Sequence, residues 1–228
     1  MFGGLGGYLI YIALLMIIPL WAQSKVKSTY KKYSKQPTSS YMTGAQVARK
    51  ILDENGLYDV TVEETRGVLS DHYDPRKKVV RLSTDNYHGH SMAASAVAAH
   101  EVGHAIQDAE DYAFLRFRSA LVPVANFGSN MSFFLILAGL FLGMSGLFLL
   151  GIIFFSLAVL FQLVTLPVEF DASNRAMAQL VSSGAIRNNE ERATRKVLNA
   201  AALTYVAAAL VAVAELVRFI LMYVSSNE

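Results

Sequence analysis

Two histidines stand four residues apart in Ala99-His100-Glu101-Val102-Gly103-His104, with a carboxylate next to the first. The stretch from Ser91 to about Asp108 is Ala-rich and reads as helix. On a helix, residues i and i+4 lie one above the other on one face. His100 and His104 can therefore offer imidazole nitrogens to a single ion. Glu101 sits one position along, angled to reach a water at that ion rather than the ion itself. This is the His-Glu-x-x-His arrangement of zinc hydrolases. Zinc lowers the pKa of a bound water from about 15.7 to about 7. A glutamate can take that proton as the water attacks a peptide carbonyl, then pass it to the leaving amine. The chemistry is metal-assisted hydrolysis, with no covalent nucleophile. The plainer alternative is a pair of structural helix histidines beside a surface carboxylate. Chance places three fixed residues this way in roughly one chain in a hundred of this size, so the motif needs a third ligand to become specific.

A catalytic zinc takes three protein ligands and keeps one position open. The candidates for the third are Glu169, Asp171, His72, His88 and His90. Glu169 is favoured. It follows Leu166-Pro167, read as a helix start with proline at the first position, and an apolar hairpin before it returns the chain to the side it left. The competing reading is that Glu169 only complements a helix dipole. Glu169 and Asp171 are two apart, so their side chains point roughly 200° apart on a helix and only one can face the ion. Arg175, nearly two turns on, can orient a carboxylate or meet substrate. His88 and His90 precede the catalytic helix. They can bind a second metal, donate to an oxyanion or simply cap the loop, and the last is the plainest reading.

Composition says where such a site sits. Of 228 residues, 54% are hydrophobic and 17% charged, against about 45–50% and about 25% in soluble domains. The excess points to a membrane protein. Net charge is +2, which leaves no basic field for nucleic acid. There is no cysteine, which excludes thiolate zinc sites and disulfides.

The elements that must carry the site follow from hydropathy. An apolar run from Leu5 to Ala22 is marginal in length for a membrane anchor but carries no charge, and it is followed by Lys25, Lys27, Lys31, Lys32 and Lys35. That order is the reverse of a cleaved signal peptide. It also predicts that the residues after the anchor lie in the cytoplasm. Residues 25–120 read as a small α+β unit. Thr43-Gly44-Ala45-Gln46 is a capping box, Gly56 ends that helix in the left-handed conformation, Asp59–Glu63 alternates as a strand, Asp74-Pro75-Arg76 is a turn, and Lys78–Ser83 is a second strand. An exposed edge of this last strand would hold extended substrate by strand addition. Residues 121–168 carry no charge before Glu169 and read as a transmembrane hairpin, with about 121–142 out and 146–166 back around Gly143, Ser145 and Gly146. Residues 169–197 supply the third-ligand helix and a polar connection. Residues 198–228 hold a last transmembrane helix, in which Glu215 and Arg218 form an ion pair three apart, and residues 1–24 are the anchor. The expected fold is thus a mainly α membrane protein with about four transmembrane helices and a small cytoplasmic α+β zincin-like unit.

Ala99–Asp108 followed by Val168-Glu169-Phe170-Asp171-Ala172-Ser173-Asn174-Arg175-Ala176 resembles the YugP-type bacterial membrane zinc metallopeptidases, of the gluzincin kind, over essentially the whole chain. The resemblance implies His100, His104 and Glu169 as zinc ligands, one zinc per chain, and Glu101 as the catalytic glutamate. Related gluzincins place an aspartate four residues after the ligand glutamate to support a ligating histidine. Here Ser173 holds that position and an aspartate comes earlier, at Asp171, so Asp171, Ser173, Arg175, His88 and His90 are the residues to consider around the ligands or against substrate. The expected function is a membrane-embedded zinc endopeptidase acting on membrane-associated protein or peptide. It sits as a multi-pass protein of the cell membrane with its site facing the cytoplasm, and an oligomer or a regulatory membrane partner stays open. The rival is a metal-binding membrane scaffold or regulator without catalysis, which would have no use for Glu101.

Overall fold

A computed structural model describes residues 4–226. Helices dominate. In chain order the elements are α1 (Gly4–Tyr33), α2 (Gly44–Glu54), β1 (Thr61–Thr65), β2 (His72–Asp74), β3 (Val79–Ser83), α3 (Thr84–His88), α4 (Met92–Ala109), α5 (Ala113–Leu142), α6 (Ser145–Ser182) and α7 (Glu191–Ser226). Among the described residues, α1, α5, α6 and α7 are long and apolar enough to cross a membrane. Each runs past the apolar stretch that marks it in the sequence. α5, for example, begins at Ala113 and carries Arg116 and Arg118 in its first turns. Charge ends a membrane-buried stretch, but the backbone ladder that defines a helix continues through it.

The chain divides into two compact units. One comprises Met1–Leu20, Ala113–Pro167 and Tyr205–Glu228; the other comprises Trp21–Tyr112 and Val168–Thr204. In the first, a short turn joins α5 to α6. Gly143 takes φ 64°, a left-handed conformation that glycine adopts without steric cost, and the Met144 amide closes the turn on the Gly139 carbonyl at 3.0 Å. Ile136, Phe148 and Ile152 pack with Leu216 and Phe219. Glu215 and Arg218 pair at 2.6 Å within α7, and the guanidinium lies 4.4 Å from the Phe219 ring centroid.

The second unit holds the α+β layer. The expected capping box is present on α2: the Gln46 amide donates to the Thr43 hydroxyl, and the Thr43 amide donates to the Gln46 side chain. Gly56 takes φ 72° just past the helix. The sheet order is β1-β3-β2, with β1 parallel and β2 antiparallel to β3. β3 is therefore the central strand, paired on both sides and almost wholly buried. Its edges are not available, which corrects the expectation that the Lys78–Ser83 strand offers an edge to substrate. The three-residue β2, too short to show a period, supplies the second partner. Val47, Ile51 and Leu52 of α2, Leu82 of β3, the alanines of α4 and Leu180 of α6 form one core. Alanine is the small residue that lets α4 approach its neighbours closely, and Ser91 caps it by accepting the Ala94 amide.

α6 requires a second correction. Pro167 does not start a helix; it lies inside α6, which is continuous from Ser145 to Ser182. Proline removes one backbone donor and crowds the preceding turn, a local cost that long helical flanks and packing neighbours absorb, as in membrane helices generally. Glu169 is therefore a mid-helix residue, and a dipole role at a helix start does not apply to it.

Candidate metal centre

Helix α4 presents His100 and His104 on one face, with ring centroids 4.8 Å apart and ring planes at 80°. Gly103 lies between them on the side toward α6. A Cβ at that position would stand 2.6 Å from the Ala172 carbonyl oxygen, so only glycine permits this separation of the two backbones. The close approach brings Glu169, one turn before Ala172, to the histidines. Its Oε2 lies 3.3 Å from His100 Nε2 and 3.7 Å from His104 Nε2. Glu169 is 2% exposed, and the two imidazoles are mostly buried.

His100, His104 and Glu169 form the one group of three or more potential ligands gathered among the described residues, with donor atoms all within 4.8 Å of one another. The donor set fits a zinc ion. Ligand atoms about 2.0–2.1 Å from a tetrahedral zinc lie about 3.3 Å from each other, close to the separations seen. The outward nitrogens are occupied. His100 Nδ1 is 3.3 Å from Ser173 Oγ, and His104 Nδ1 is 3.0 Å from Gln107 Oε1. Both Nε2 atoms thus point inward, as metal-ligating histidines require. His104 is held above the ordinary imidazole range. Burial acts against the charged ring, but the Glu169 carboxylate facing Nε2 and the charge of Glu101 outweigh it. Glu101 is half-buried beside the two histidines on α4.

The remaining sequence candidates lie elsewhere in this unit or around the ligands. Asp171 is outside the ligand group. It accepts from Gln107 Nε2 at 2.8 Å and from Arg175 Nε at 2.6 Å, and Arg175 also pairs with Glu110 at 2.6 Å. Ser173, one of the residues considered around the ligands, contacts His100 Nδ1 with its hydroxyl. His88 faces Glu64 at 3.1 Å, and hydrogen bonding to Thr84 and His88 lowers the Glu64 carboxyl below its usual range. His90 stacks at 5.8 Å from the Tyr41 ring, and its carbonyl accepts the Thr38 amide. His72 Nδ1 meets the Ser70 carbonyl at 2.9 Å. None of these three histidines joins the ligand group. Gln107 was not among the sequence candidates. Its one available signal was spacing: it lies three residues after His104, on the same helix face.

Comparison with known proteins gives a family for the chain. Residues 8–224 match the family described as "Putative neutral zinc metallopeptidase". The chain is 56% identical over 211 residues to "Putative membrane protease YugP" of Bacillus subtilis (strain 168), covering 92% of this chain and 94% of that protein. No solved structure matches it significantly. A match across nearly the whole length places the chain in the family described as "Putative neutral zinc metallopeptidase".

Proposed function

We propose that this protein is a membrane-embedded zinc endopeptidase with His100, His104 and Glu169 as metal ligands, one zinc per chain, and Glu101 as general base. The observation that carries the reading is the convergence of His100 Nε2, His104 Nε2 and Glu169 Oε2, from helices far apart in sequence, with Glu101 alongside. When bound, zinc supplies a Lewis acid that polarises the scissile carbonyl and acidifies the attacking water. The ligands' own task is orientation: two neutral imidazoles and one carboxylate hold three positions and leave a fourth for reactants. Glu101 removes the proton from the attacking water and delivers it to the departing amine nitrogen. A scaffold that kept a metal for folding alone would need neither the open position nor a base next to it.

The substrates are proteins or peptides in or next to the bilayer, since the site belongs to a chain with four apolar helices. The lysines from Lys25 to Lys35 assign the metal centre to the cytoplasmic side. The test is elemental analysis of the purified protein together with hydrolysis of a casein-like substrate. About one zinc per chain, activity lost to chelator and activity restored by zinc are expected. Metal-independent hydrolysis, or zinc content unchanged in His100→Ala or His104→Ala, would overturn the reading.

A further inference from the structure

Gln107 is fully buried on the face of α4 that carries His104. Both ends of its amide are engaged. Nε2 donates to the Val168 carbonyl at 2.8 Å and to Asp171 Oδ2 at 2.8 Å, and Oε1 is 3.0 Å from His104 Nδ1. The two groups facing Nε2 are both acceptors here, because the Val168 partner is a carbonyl and Asp171 also accepts from Arg175. An amide end between two acceptors must be the NH2 end. Its oxygen then faces the imidazole, so His104 Nδ1 carries the hydrogen and donates it. The Nε2 lone pair is left to face Glu169. His100 has no such constraint, because its neighbour Ser173 is a hydroxyl that can donate or accept.

We propose that Gln107 is a positioning residue that sets the tautomer and ring orientation of His104 for the metal, and that Asp171 and the Val168 carbonyl act through it by fixing the direction of its amide. This inference rests on the metal reading above. It gives the two histidine ligands different characters: His104 is locked before metal arrives, whereas His100 adapts through Ser173. It also gives Asp171 a defined task one residue further out than an aspartate that touches a ligand directly.

The test uses the full-length protein in detergent micelles, with zinc as the probe and affinity measured by chelator competition. Gln107→Met keeps length and removes the acceptor, and it should weaken zinc binding by about 10- to 100-fold. In the metal-free protein, at alkaline pH where imidazoles are neutral, ring nitrogen NMR shifts should show His104 as one Nδ1–H tautomer. Gln107→Met should turn it into a mixture while His100 stays unchanged. Asp171→Asn retains an acceptor oxygen and should bind zinc within about threefold of the unmodified protein, whereas Asp171→Leu should bind at least about tenfold more weakly. Unmodified zinc affinity and an unmoved His104 tautomer in Gln107→Met overturn the proposal. If Gln107→Met does not fold, equal zinc affinity in the two Asp171 variants overturns it. Failure of the metal reading is separable: the unmodified protein would then bind no zinc, while the His104 tautomer in the metal-free state would still report on Gln107.

Discussion

The Gly103 α-carbon rests against the Ala172 backbone, so that a Cβ on residue 103 would lie 2.6 Å from the Ala172 carbonyl oxygen. Both partners are main chain within helices, and neither can rotate away as a side chain would. Gly103→Ala should therefore push α4 and α6 apart. Overpacking of this kind costs about 1–3 kcal/mol. Because the same contact sets the distance from Glu169 to the histidines, zinc affinity should fall at least about tenfold. Thermal unfolding and chelator competition measure the two effects. A variant with unchanged melting and unchanged zinc affinity would show that the contact does not hold the site.

Glu101→Gln keeps shape and removes the proton acceptor. Peptidase activity should fall by at least about 100-fold, while zinc content stays near that of the unmodified protein because Glu101 is not a ligand. Normal turnover of a casein-like substrate by this variant would remove Glu101 from the mechanism.

Glu169→Ala deletes one donor from the group and should abolish activity and weaken zinc by at least about tenfold. Asp171 is linked to the ligands through Gln107, which contacts His104, so Asp171→Asn should lose far less metal. The opposite ranking by chelator competition would exchange the two assignments.

The raised pKa of His104 sets a pH dependence with two signs. Zinc needs the neutral ring, so affinity should weaken as pH falls through the folded-state value, which lies above the ordinary 6.5. The slope from this group approaches about tenfold per pH unit. In the metal-free protein the charged ring stabilises the fold. That contribution is fully present below 6.5 and lost as pH rises through the folded value. Zinc titrations and metal-free melting curves across this range should therefore move in opposite directions. A zinc affinity independent of pH from about 6 to about 9 would contradict the raised value.

The chain has no cysteine, so single introduced thiols report topology cleanly. Val68 is 79% exposed in the α+β unit and Met144 is 51% exposed at the α5–α6 turn. Val68→Cys should resist membrane-impermeant reagents in intact cells and react after lysis, whereas Met144→Cys should react in both. The reverse pattern would place the metal centre outside the cell.

What the sequence determined by itself was local. The capping box of Thr43 and Gln46, the left-handed Gly56 and the shared face of His100 and His104 each depend on hydrogen bonds or periods that close within a turn or two. Uncharged stretches likewise announced the membrane helices, because a bilayer selects composition over a contiguous run. The tertiary structure decided everything that relies on two distant backbones meeting. It made β3 a central strand rather than an edge, since a three-residue β2 has no pattern of its own. It carried α6 through Pro167, since neighbours rather than propensity absorb the missing hydrogen bond. It brought Glu169, already favoured in the sequence, against the two histidines and gave Gln107, otherwise an ordinary polar residue of a helix, its contact with His104, because the approach of α4 to α6 at Gly103 and Ala172 is a long-range contact that no local spacing encodes.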